Sequence, residues 1–586
     1  MNTAFIKTCL HTYVNHQTMA SLQSSFTLLS SAPKPRSSRL PGRSHSSQIS
    51  CSGDGGGGID RRNILLGLGG LYGAGSSLGR QAEAAPILPP DLSTCDPTGA
   101  TTTRRVGDKQ EVVKLDVNCC PPFTDKQGDY KLPVFTKLRR RQSAHRLSPA
   151  NLAKYKKAMA KMRELDVTDP DDPRGFTQQA NIHCAYCNGP YDQVGFPGID
   201  LQVHNSWTFF PFHRWYLYFY ERILGELIGD PTFALPYWNW DNPRGMSMPL
   251  AFDDPSSPLY DEDRNQDHRR PAVVDLALNS GITDPVQLIS NNLALMYKEM
   301  VSDVETAVDF LGTEYRAGDD PHAFALGGTS ERGSHTGIHA WVGDPRNDLK
   351  EDMGNFYSAG RDPMFYSHHA NVDRMWTIWD KIPASYSKKI DDDDFKNSSF
   401  MFYDEKKNLV RVKVSDCLDH RKLGYEYEYS DTPWINSRPP QRAVPANLKE
   451  LAKGIPTADK VFPLKLVKTV KFLVPKPAKG KADEALVLEN IVTDNSKLIK
   501  FDVFINDEDD KPDELDRAEY VGSFTQLPHR VKGKESVNNL RLNLREVYEN
   551  INIADDDAVV ITIVPLISGD AVTIGGIKII RRRPRK

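Results

Sequence analysis

Residues 334–339 read Ser-His-Thr-Gly-Ile-His, and this stretch decides the fold predicted for the middle of the chain. His335 and His339 are four positions apart, so on an α-helix both imidazoles project from one face toward a common point. A zinc-protease motif would need Glu directly after the first His, but Thr336 stands there. The pair therefore predicts a helical metal site of a different class.

Seven of the fifteen histidines fall into two clusters in the same half of the chain. The clusters are His183, His204 and His213, and His335, His339, His368 and His369. A lone histidine is most simply a hydrogen-bonded core residue, but two sets of three indicate metal ligands. With no carboxylate ligand nearby, they favour a metal that prefers imidazole, and copper best suits a redox centre with open coordination positions. A zinc hydrolase is a distant alternative, because zinc is redox-inactive.

The histidines lie in a part of the chain with helical periodicity. Five segments have this period: 148–165, 175–188, 212–228, 284–304 and 362–381. After about residue 389 the sequence pattern changes to short β-rich runs that are separated by polar turns. The runs are 399–403, 409–414, 470–474, 498–505 and 558–564. The pattern predicts a helical half followed by a small β domain. Residues 436–445 are polar, basic and rich in Pro, which is typical of an exposed linker open to proteases.

The N-terminus has the composition of a targeting sequence in two parts. Residues 1–53 contain no Asp or Glu and many Ser and Thr, as organellar transit peptides do. Arg61-Arg62, a short apolar stretch at 64–75 and the motif Ala82-Glu83-Ala84 then resemble a twin-arginine export signal. Together they predict import into the chloroplast, transfer to the thylakoid lumen and a mature protein that starts at Ala85.

Composition excludes several classes of protein. The chain has 586 residues, 39% of them hydrophobic and 26% charged, which is ordinary for a folded globular protein. No stretch approaches the roughly 20 apolar residues of a membrane span, so no integral membrane segment is expected. The net charge is -3, and no basic patch indicates a nucleic-acid partner.

The motifs around the histidines resemble those of the plant polyphenol oxidases (catechol oxidases), in the type 3 copper family of tyrosinases and hemocyanins. These motifs are His-Cys-Ala-Tyr-Cys at 183–187, His-Asn at 204–205, Phe-Phe-Pro-Phe-His-Arg at 209–214, Pro-Tyr-Trp-Asn-Trp-Asp at 236–241, the His335/His339 pair and His-His-Ala-Asn-Val-Asp-Arg at 368–374. The resemblance extends through the C-terminal half, by Tyr425, Tyr427, Pro433-Trp434 and Lys-Phe-Asp-Val-Phe at 500–504. It therefore covers almost the whole chain.

The resemblance implies a binuclear copper centre. His183, His204 and His213 would hold copper A, and His335, His339 and His369 would hold copper B. His368 would not be a ligand, because it lies about 100° around the helix from His369. The implied fold is a mainly α four-helix-bundle dicopper domain followed by a C-terminal β-sandwich-like shielding domain.

The resemblance also implies roles for five of the eight cysteines. It implies disulfides Cys95–Cys120 and Cys119–Cys184, and a thioether bond from Cys187 to the ring of His204. The alternative for Cys187 is a free buried thiol.

Three further residues match functional positions of the family. Phe356 matches the gate residue over copper A, with ordinary core packing as its alternative. Glu331 matches the acid that holds a water in members that deprotonate monophenols. Thr336 stands where monophenol-hydroxylating members often carry Asn, so with Ala340 it is expected to influence substrate choice. Asp373 and Arg374 are expected to form a buried ion pair.

By this resemblance the expected function is copper-dependent oxidation of o-diphenols to o-quinones, with reduction of dioxygen to water. The partners are a phenolic substrate, dioxygen and a protease that activates a latent form by removing the C-terminal domain. The expected domains are the targeting segment 1–84, the catalytic domain 85–435, the linker 436–460 and the shielding domain 461–586. Two alternatives stay open: a specialised aurone-forming or monophenol-hydroxylating enzyme, and a hemocyanin-like oxygen carrier.

Overall fold

The computed structural model describes residues 85–106, 109–124, 126–279, 281–442, 446–477, 484–508, 514–529 and 535–581. The predicted targeting segment therefore lies outside the described residues. Within the described ranges, the search for a helix long and apolar enough to cross a membrane finds none.

Ten α-helices are described, and the five predicted helical segments are among them. They are α1 (Pro149–Thr168), α2 (Phe176–Cys187), α3 (Phe209–Ile228), α4 (Pro285–Tyr297), α5 (Ala307–Leu311), α6 (Thr336–Val342), α7 (Met364–Trp379), α8 (Asp393–Asn397), α9 (Leu448–Leu451) and α10 (Arg545–Ile551). Side chains cap the long helices: Ser148 accepts a hydrogen bond from the Asn151 amide at 3.2 Å, and Asp362 accepts one from the Met364 amide at 2.7 Å. A π-helical turn, Glu331–His335, leads directly into α6.

Helix α3 is the central helix of residues 85–435, which we call the catalytic half after the domain that the resemblance implies. Its sequence is apolar and aromatic on every side, and it is buried along most of its length between α1 and α7. Trp215, Tyr216 and Leu217 are among its fully buried side chains. Burying each such side chain contributes about 1.5–3 kcal/mol, so this packing holds the histidine-bearing helices in fixed positions.

The described strands form six sheets. They are β1 (Thr98–Val106), β2 (Lys109–Val117), β3 (Gln127–Asp129), β4 (Arg139–Arg141), β5 (Asp192–Gln193), β6 (Phe196–Asp200), β7 (Ser399–Tyr403), β8 (Leu409–Lys413), β9 (Tyr425–Tyr427), β10 (Leu464–Lys465), β11 (Val470–Pro475), β12 (Glu484–Asp494), β13 (Ile499–Ile505), β14 (Tyr520–Gln526), β15 (Glu535–Asn543), β16 (Ala558–Ile567) and β17 (Val572–Arg581). The C-terminal part has two antiparallel four-stranded sheets, with strand orders β10-β17-β12-β15 and β11-β16-β13-β14. Both sheets contribute to one hydrophobic core, for example through Leu486 and Phe501.

The first β-rich runs after residue 389 do not belong to the C-terminal domain. Strand β8 pairs with β7 on one side and with β3 from the N-terminal arm on the other, in a three-stranded sheet. Their side chains, including Phe400 and Phe402, pack in the same core as the metal-bearing helices. This sheet therefore supports the catalytic half.

The C-terminal β domain is docked on the catalytic half by apolar and backbone contacts. Tyr520 and Leu527 belong to the core of the catalytic half. A loop of that half extends the edge of β15, since the Phe324 amide donates to the Val537 carbonyl at 2.8 Å and the Val537 amide to the His322 carbonyl at 3.1 Å. The β domain therefore has a fixed register against the catalytic half.

Candidate metal centre

The structure brings all six predicted histidine ligands together. His183 lies on α2, His204 in the loop before α3, His213 on α3, His335 at the end of the π-helical turn, His339 on α6 and His369 on α7. In the first set the ring centroids are 5.2–5.6 Å apart, and in the second 4.6–5.3 Å. The rings of His213 and His369 stack across the two sets at 4.2 Å.

The short helix α6 reaches its place because residue 337 is glycine. A Cβ atom there would lie 2.0 Å from the carbonyl oxygen of Leu276. The close approach of backbone to backbone seats the His335/His339 pair deep in the core.

Backbone carbonyls fix the ring orientation of four histidines through Nδ1. His183 donates to the Phe356 carbonyl at 2.8 Å and His339 to the Met353 carbonyl at 2.7 Å. His213 and His335 donate to carbonyls one turn earlier on their own segments, at 2.8 and 2.9 Å. Each of these rings therefore carries its proton on Nδ1 and presents an unprotonated Nε2.

The Nε2 atoms have no protein partner that explains their burial. Those of His183, His204, His213 and His335 are buried without a hydrogen-bond partner. The Nε2 atoms of His339 and His369 lie 3.1 Å apart. Buried polar atoms are nearly always satisfied, so converging, unpartnered nitrogens fit a metal that prefers imidazole.

His368 is distinguished from His369 by its neighbour Trp240. The indole N–H of Trp240 donates to Nδ1 of His368 at 3.1 Å. In the neutral ring the proton of His368 is then on Nε2, which is the wrong tautomer for ligation through that atom. The four second-cluster histidines lie close enough to form one metal group, but this hydrogen bond separates His368 from the other three.

Burial keeps these imidazoles uncharged. Desolvation lowers the pKa of His213 to about 3 and that of His339 to about 4, and it lowers the pKa of His183, His204, His335 and His369 well below the usual range. At neutral pH the lone pairs are therefore available for a metal without loss of a proton from an imidazolium.

Phe356 lies between the first histidine set and the C-terminal domain. Its ring stacks on His204 at 4.3 Å, and on its other side the ring of His529 stacks at 5.1 Å. Phe356 is 7% exposed. A cavity beside the histidines is lined by His204, His335, Phe356, Leu527 and His529, so the C-terminal domain covers it.

Glu331 and Thr336 line the same cavity. Glu331 accepts a hydrogen bond from the Asn205 amide at 2.6 Å, and its Oε2 is buried without a partner. Burial raises the pKa of Glu331 well above its usual range. The Thr336 hydroxyl donates to the Glu331 carbonyl at 2.8 Å.

The cysteines lie beside the first histidine set. Disulfides join Cys95 to Cys120 and Cys119 to Cys184 on α2. Cys187 is buried and takes part in neither disulfide. Its carbonyl accepts from the Gln202 side chain at 2.8 Å, and the same side chain accepts from the His204 amide at 2.9 Å.

The expected ion pair between Asp373 and Arg374 is wrong. Asp373 pairs with Arg214 of α3 at 2.5 Å, and Arg374 pairs with Asp241 at 2.9 Å. Adjacent residues of a helix point about 100° apart, so each binds a partner from a different segment. Both pairs are buried and tie α7 to its surroundings.

Four contributors to the site carried no signal in the sequence. The Met353 and Phe356 carbonyls orient His339 and His183, but a main-chain oxygen has no residue signature. Gln202 and His529 are single polar residues in loops, and only the fold shows that they reach the site.

Comparison with protein families gives three matches. Residues 173–382 match the common central domain of tyrosinase, residues 389–440 the polyphenol oxidase middle domain and residues 462–581 the chloroplastic polyphenol oxidase C-terminal domain.

Individual proteins are similar over most of the chain. A chloroplastic polyphenol oxidase of Malus domestica is 48% identical over 89% of this chain and 89% of its own length. The structure of latent apple tyrosinase has a TM-score of 0.72 at 46% identity and covers 78% of this chain and 99% of its own. A latent aurone synthase (polyphenol oxidase) has a TM-score of 0.77 at 42% identity, covering 86% of this chain and 100% of its own. These structures share the arrangement of a helical core with a C-terminal β-rich domain.

Proposed function

Because the chain belongs to the plant polyphenol oxidases of the tyrosinase family, we propose that it is a latent catechol oxidase. It oxidises o-diphenols to o-quinones, and the electrons and protons released from two diphenols reduce one dioxygen to water. The observation that carries this proposal is the pair of buried histidine triplets whose Nε2 atoms converge, four of them without a hydrogen-bond partner.

The finer assignment is a binuclear copper centre. His183, His204 and His213 would hold one copper, and His335, His339 and His369 the other. When bound, paired copper ions supply two one-electron acceptors, which match the two-electron oxidation of a catechol. The hydrogen bonds from Nδ1 to backbone carbonyls support these roles, because they hold the rings in place before and after electron transfer.

Side chains around the cavity would position the phenol. Phe356 offers a ring face against which an aromatic substrate can stack, at about 0.5–1.5 kcal/mol. Glu331 has an Oε2 without a protein partner, which can hold a water and accept a phenol proton. Thr336 carries a hydroxyl and a methyl group instead of the amide of Asn. This favours diphenols, which need less assistance from the protein to lose a proton.

Cys187 is proposed to form a thioether with the ring of His204. Gln202 holds both residues through hydrogen bonds, which supports their proximity. The bond would fix the rotamer of His204 without using its metal-binding nitrogen. Peptide mass spectrometry would detect it as a cross-linked pair lighter by the lost hydrogens.

Latency is proposed to come from the C-terminal domain. Leu527 and His529 cover the cavity, and His529 stacks on the ring of Phe356. The linker 436–460 would be the site of activating proteolysis between the catalytic domain 85–435 and the shielding domain 461–586. Most of residues 435–441 are exposed, but Arg438 binds Glu549 at 3.0 Å and Arg442 binds Glu519 at 3.0 Å, so these ion pairs would hold the linker until it is cut.

The finer architecture is also a proposal. Contacts of α1 with α2 and α3, and of α3 with α7, support a four-helix bundle around the copper centre. Two four-stranded sheets that share one core support a β-sandwich for the shielding domain.

The similarity to an aurone synthase supports a second candidate, a specialised biosynthetic phenol oxidase. A panel of catechols, monophenols and chalcones would separate it from a general catechol oxidase.

Relatives named chloroplastic support a chloroplast location. The twin-arginine pattern supports the thylakoid lumen as the final compartment. Import into isolated chloroplasts, with and without replacement of Arg61-Arg62 by Lys, would test the lumen assignment.

Oxygen uptake tests the proposed function. The copper-loaded chain from Ala85 onward is given catechol before and after limited proteolysis at the linker. Uptake should be low at first and rise after cleavage. Two bound coppers with no uptake in either form would contradict the oxidase and favour an oxygen carrier.

A further inference from the structure

Three aspartates outside the histidine centre converge on one point. Asp261 and Asp263 lie in the loop between α3 and α4, and Asp352 lies after α6. One carboxylate oxygen from each lies within 4.8 Å of the other two. We call these three residues the aspartate cluster.

Asp352 is the most deeply placed member of the aspartate cluster. It is 7% exposed. Among the described residues, its carboxylate accepts no hydrogen bond and forms no ion pair within 4 Å. Its main-chain amide donates to the Asp263 carbonyl at 2.9 Å, which fixes the two loops against each other. A carboxylate that is mostly withdrawn from water and has no protein donor is costly, and this one lies close to two other carboxylates.

One carboxylate oxygen of Asp261 also lacks a hydrogen-bond donor. Its Oδ1 accepts from the Asp263 amide at 3.0 Å, but its Oδ2 is buried without a partner. The two nearby arginines do not supply the missing hydrogen bonds. Arg264 is engaged by Asp362 at 2.7 Å, and the guanidinium of Arg361 lies 5.7 Å from the ring centroid of Tyr357 without an ion pair to Asp352.

Burial and mutual repulsion make the ionised cluster unfavourable without a counter-ion. Burial raises the pKa of Asp261 to about 7, with further help from Asp362. Burial and the charges of Asp261 and Asp263 raise the pKa of Asp352 well above its usual range. The cluster therefore needs either protons or a cation.

We propose that Asp261, Asp263 and Asp352 bind one Ca²⁺ ion. All donors are carboxylate oxygens, which suit a hard cation, and no imidazole or thiol takes part. Oxygens bound to one Ca²⁺ at about 2.4 Å lie no more than about 4.8 Å apart, which agrees with the observed spacing. Water completes the coordination.

The ion would anchor the segment that orients two copper-site histidines. Asp352 directly precedes Met353, whose carbonyl accepts from His339, and Phe356 follows with the carbonyl that accepts from His183. Binding of Ca²⁺ at Asp352 fixes the start of this segment to the loop of Asp261 and Asp263. The site is structural, and its existence does not depend on the proposed oxidase activity.

Calorimetric titration with CaCl₂ tests the proposal on the copper-loaded chain from Ala85 onward, in buffer freed of divalent cations by a chelating resin. We expect one Ca²⁺ per chain and a rise of the melting temperature by about 3 °C at saturating Ca²⁺, because a ligand that binds only the folded state stabilises it. Asp352→Asn should weaken binding at least about 10-fold, since ligand charge sets the affinity of such sites. Without Ca²⁺ this variant should melt no lower than the wild type, because it removes repulsion.

Matched variants decide the outcome. The double variant Asp391→Asn/Asp393→Asn removes two exposed carboxylates elsewhere and should bind Ca²⁺ like the wild type. If Asp352→Asn does not fold, Asp261→Asn takes its place. No heat and no change of melting temperature in the wild type would overturn the proposal. An equal response to MgCl₂, or equal losses in the exposed double variant, would overturn it as well.

Discussion

The histidine centre and the aspartate cluster both bring ligand atoms from separate segments close together, but they differ in charge. Burial lowers the pKa of the imidazoles, so six rings lie side by side as neutral groups. Burial raises the pKa of Asp261 and Asp352, so the carboxylates become charged only at a cost. The same desolvation therefore leaves the imidazoles ready for a metal and the carboxylates in need of one.

The difference in charge predicts a different role for the metal at each of the two sites. The histidine rings are held by carbonyls and by the packed helices whether or not copper is bound, so copper is expected to add activity more than stability. The aspartate cluster joins two loops through like charges, so its cation is expected to add stability. The segment from Asp352 to Phe356 connects the two.

The largest effect is expected from removing one copper ligand. His335→Ala should reduce bound copper from two ions to about one. Oxygen uptake should fall about 10³-fold or more, because a bound metal lowers the activation barrier by several kcal/mol. Atomic absorption and oxygen electrode measurements check both numbers. Calcium binding should be unchanged.

His368→Gln is the matched control for that variant. Gln can still accept from Trp240, so both coppers should stay bound and most activity should remain. If His368→Gln loses one copper and His335→Ala does not, the assignment of ligands is wrong.

A smaller effect is expected from opening the cover over the histidine centre. His529→Ala removes a stacked ring from Phe356, which is worth about 0.5–1.5 kcal/mol, so uptake by the uncut chain should rise about 2- to 10-fold. Val467→Ala, an exposed position on the same domain, should change nothing. A rise in both variants would indicate general loosening of the domain instead of a specific contact.

The sequence predicted the helices and the gathering of the histidines better than the contacts between elements. Histidine spacing and helical period predict which histidines come together, because both are local patterns. The predicted ion pair between Asp373 and Arg374 was wrong because adjacent residues of a helix point in different directions. Asp373 binds Arg214 from another helix instead. The aspartate cluster was not predicted because its members lie in separate loops, and three aspartates among many give no pattern.

The smallest effect concerns the segment that joins the two sites. The Ser358 hydroxyl donates to the main-chain carbonyl of Asp352 at 2.8 Å, and Ser358 is fully buried. Ser358→Ala removes this hydrogen bond and should cost about 1 kcal/mol, or about 5-fold in calcium affinity if the whole loss falls on binding. Because the same segment carries the carbonyls that orient His183 and His339, loss of copper during dialysis should be faster in this variant.

Thr377→Val is the control for Ser358→Ala, since it removes a buried hydroxyl that donates to the Arg374 carbonyl at 2.8 Å on α7, outside the segment. It should lower the melting temperature by a similar amount and leave calcium affinity and copper retention unchanged. Joint loss of both metals only in Ser358→Ala would mean that one piece of backbone serves two sites. Equal behaviour of the two variants would mean that the histidine centre and the aspartate cluster are independent, because general destabilisation would then explain the effect.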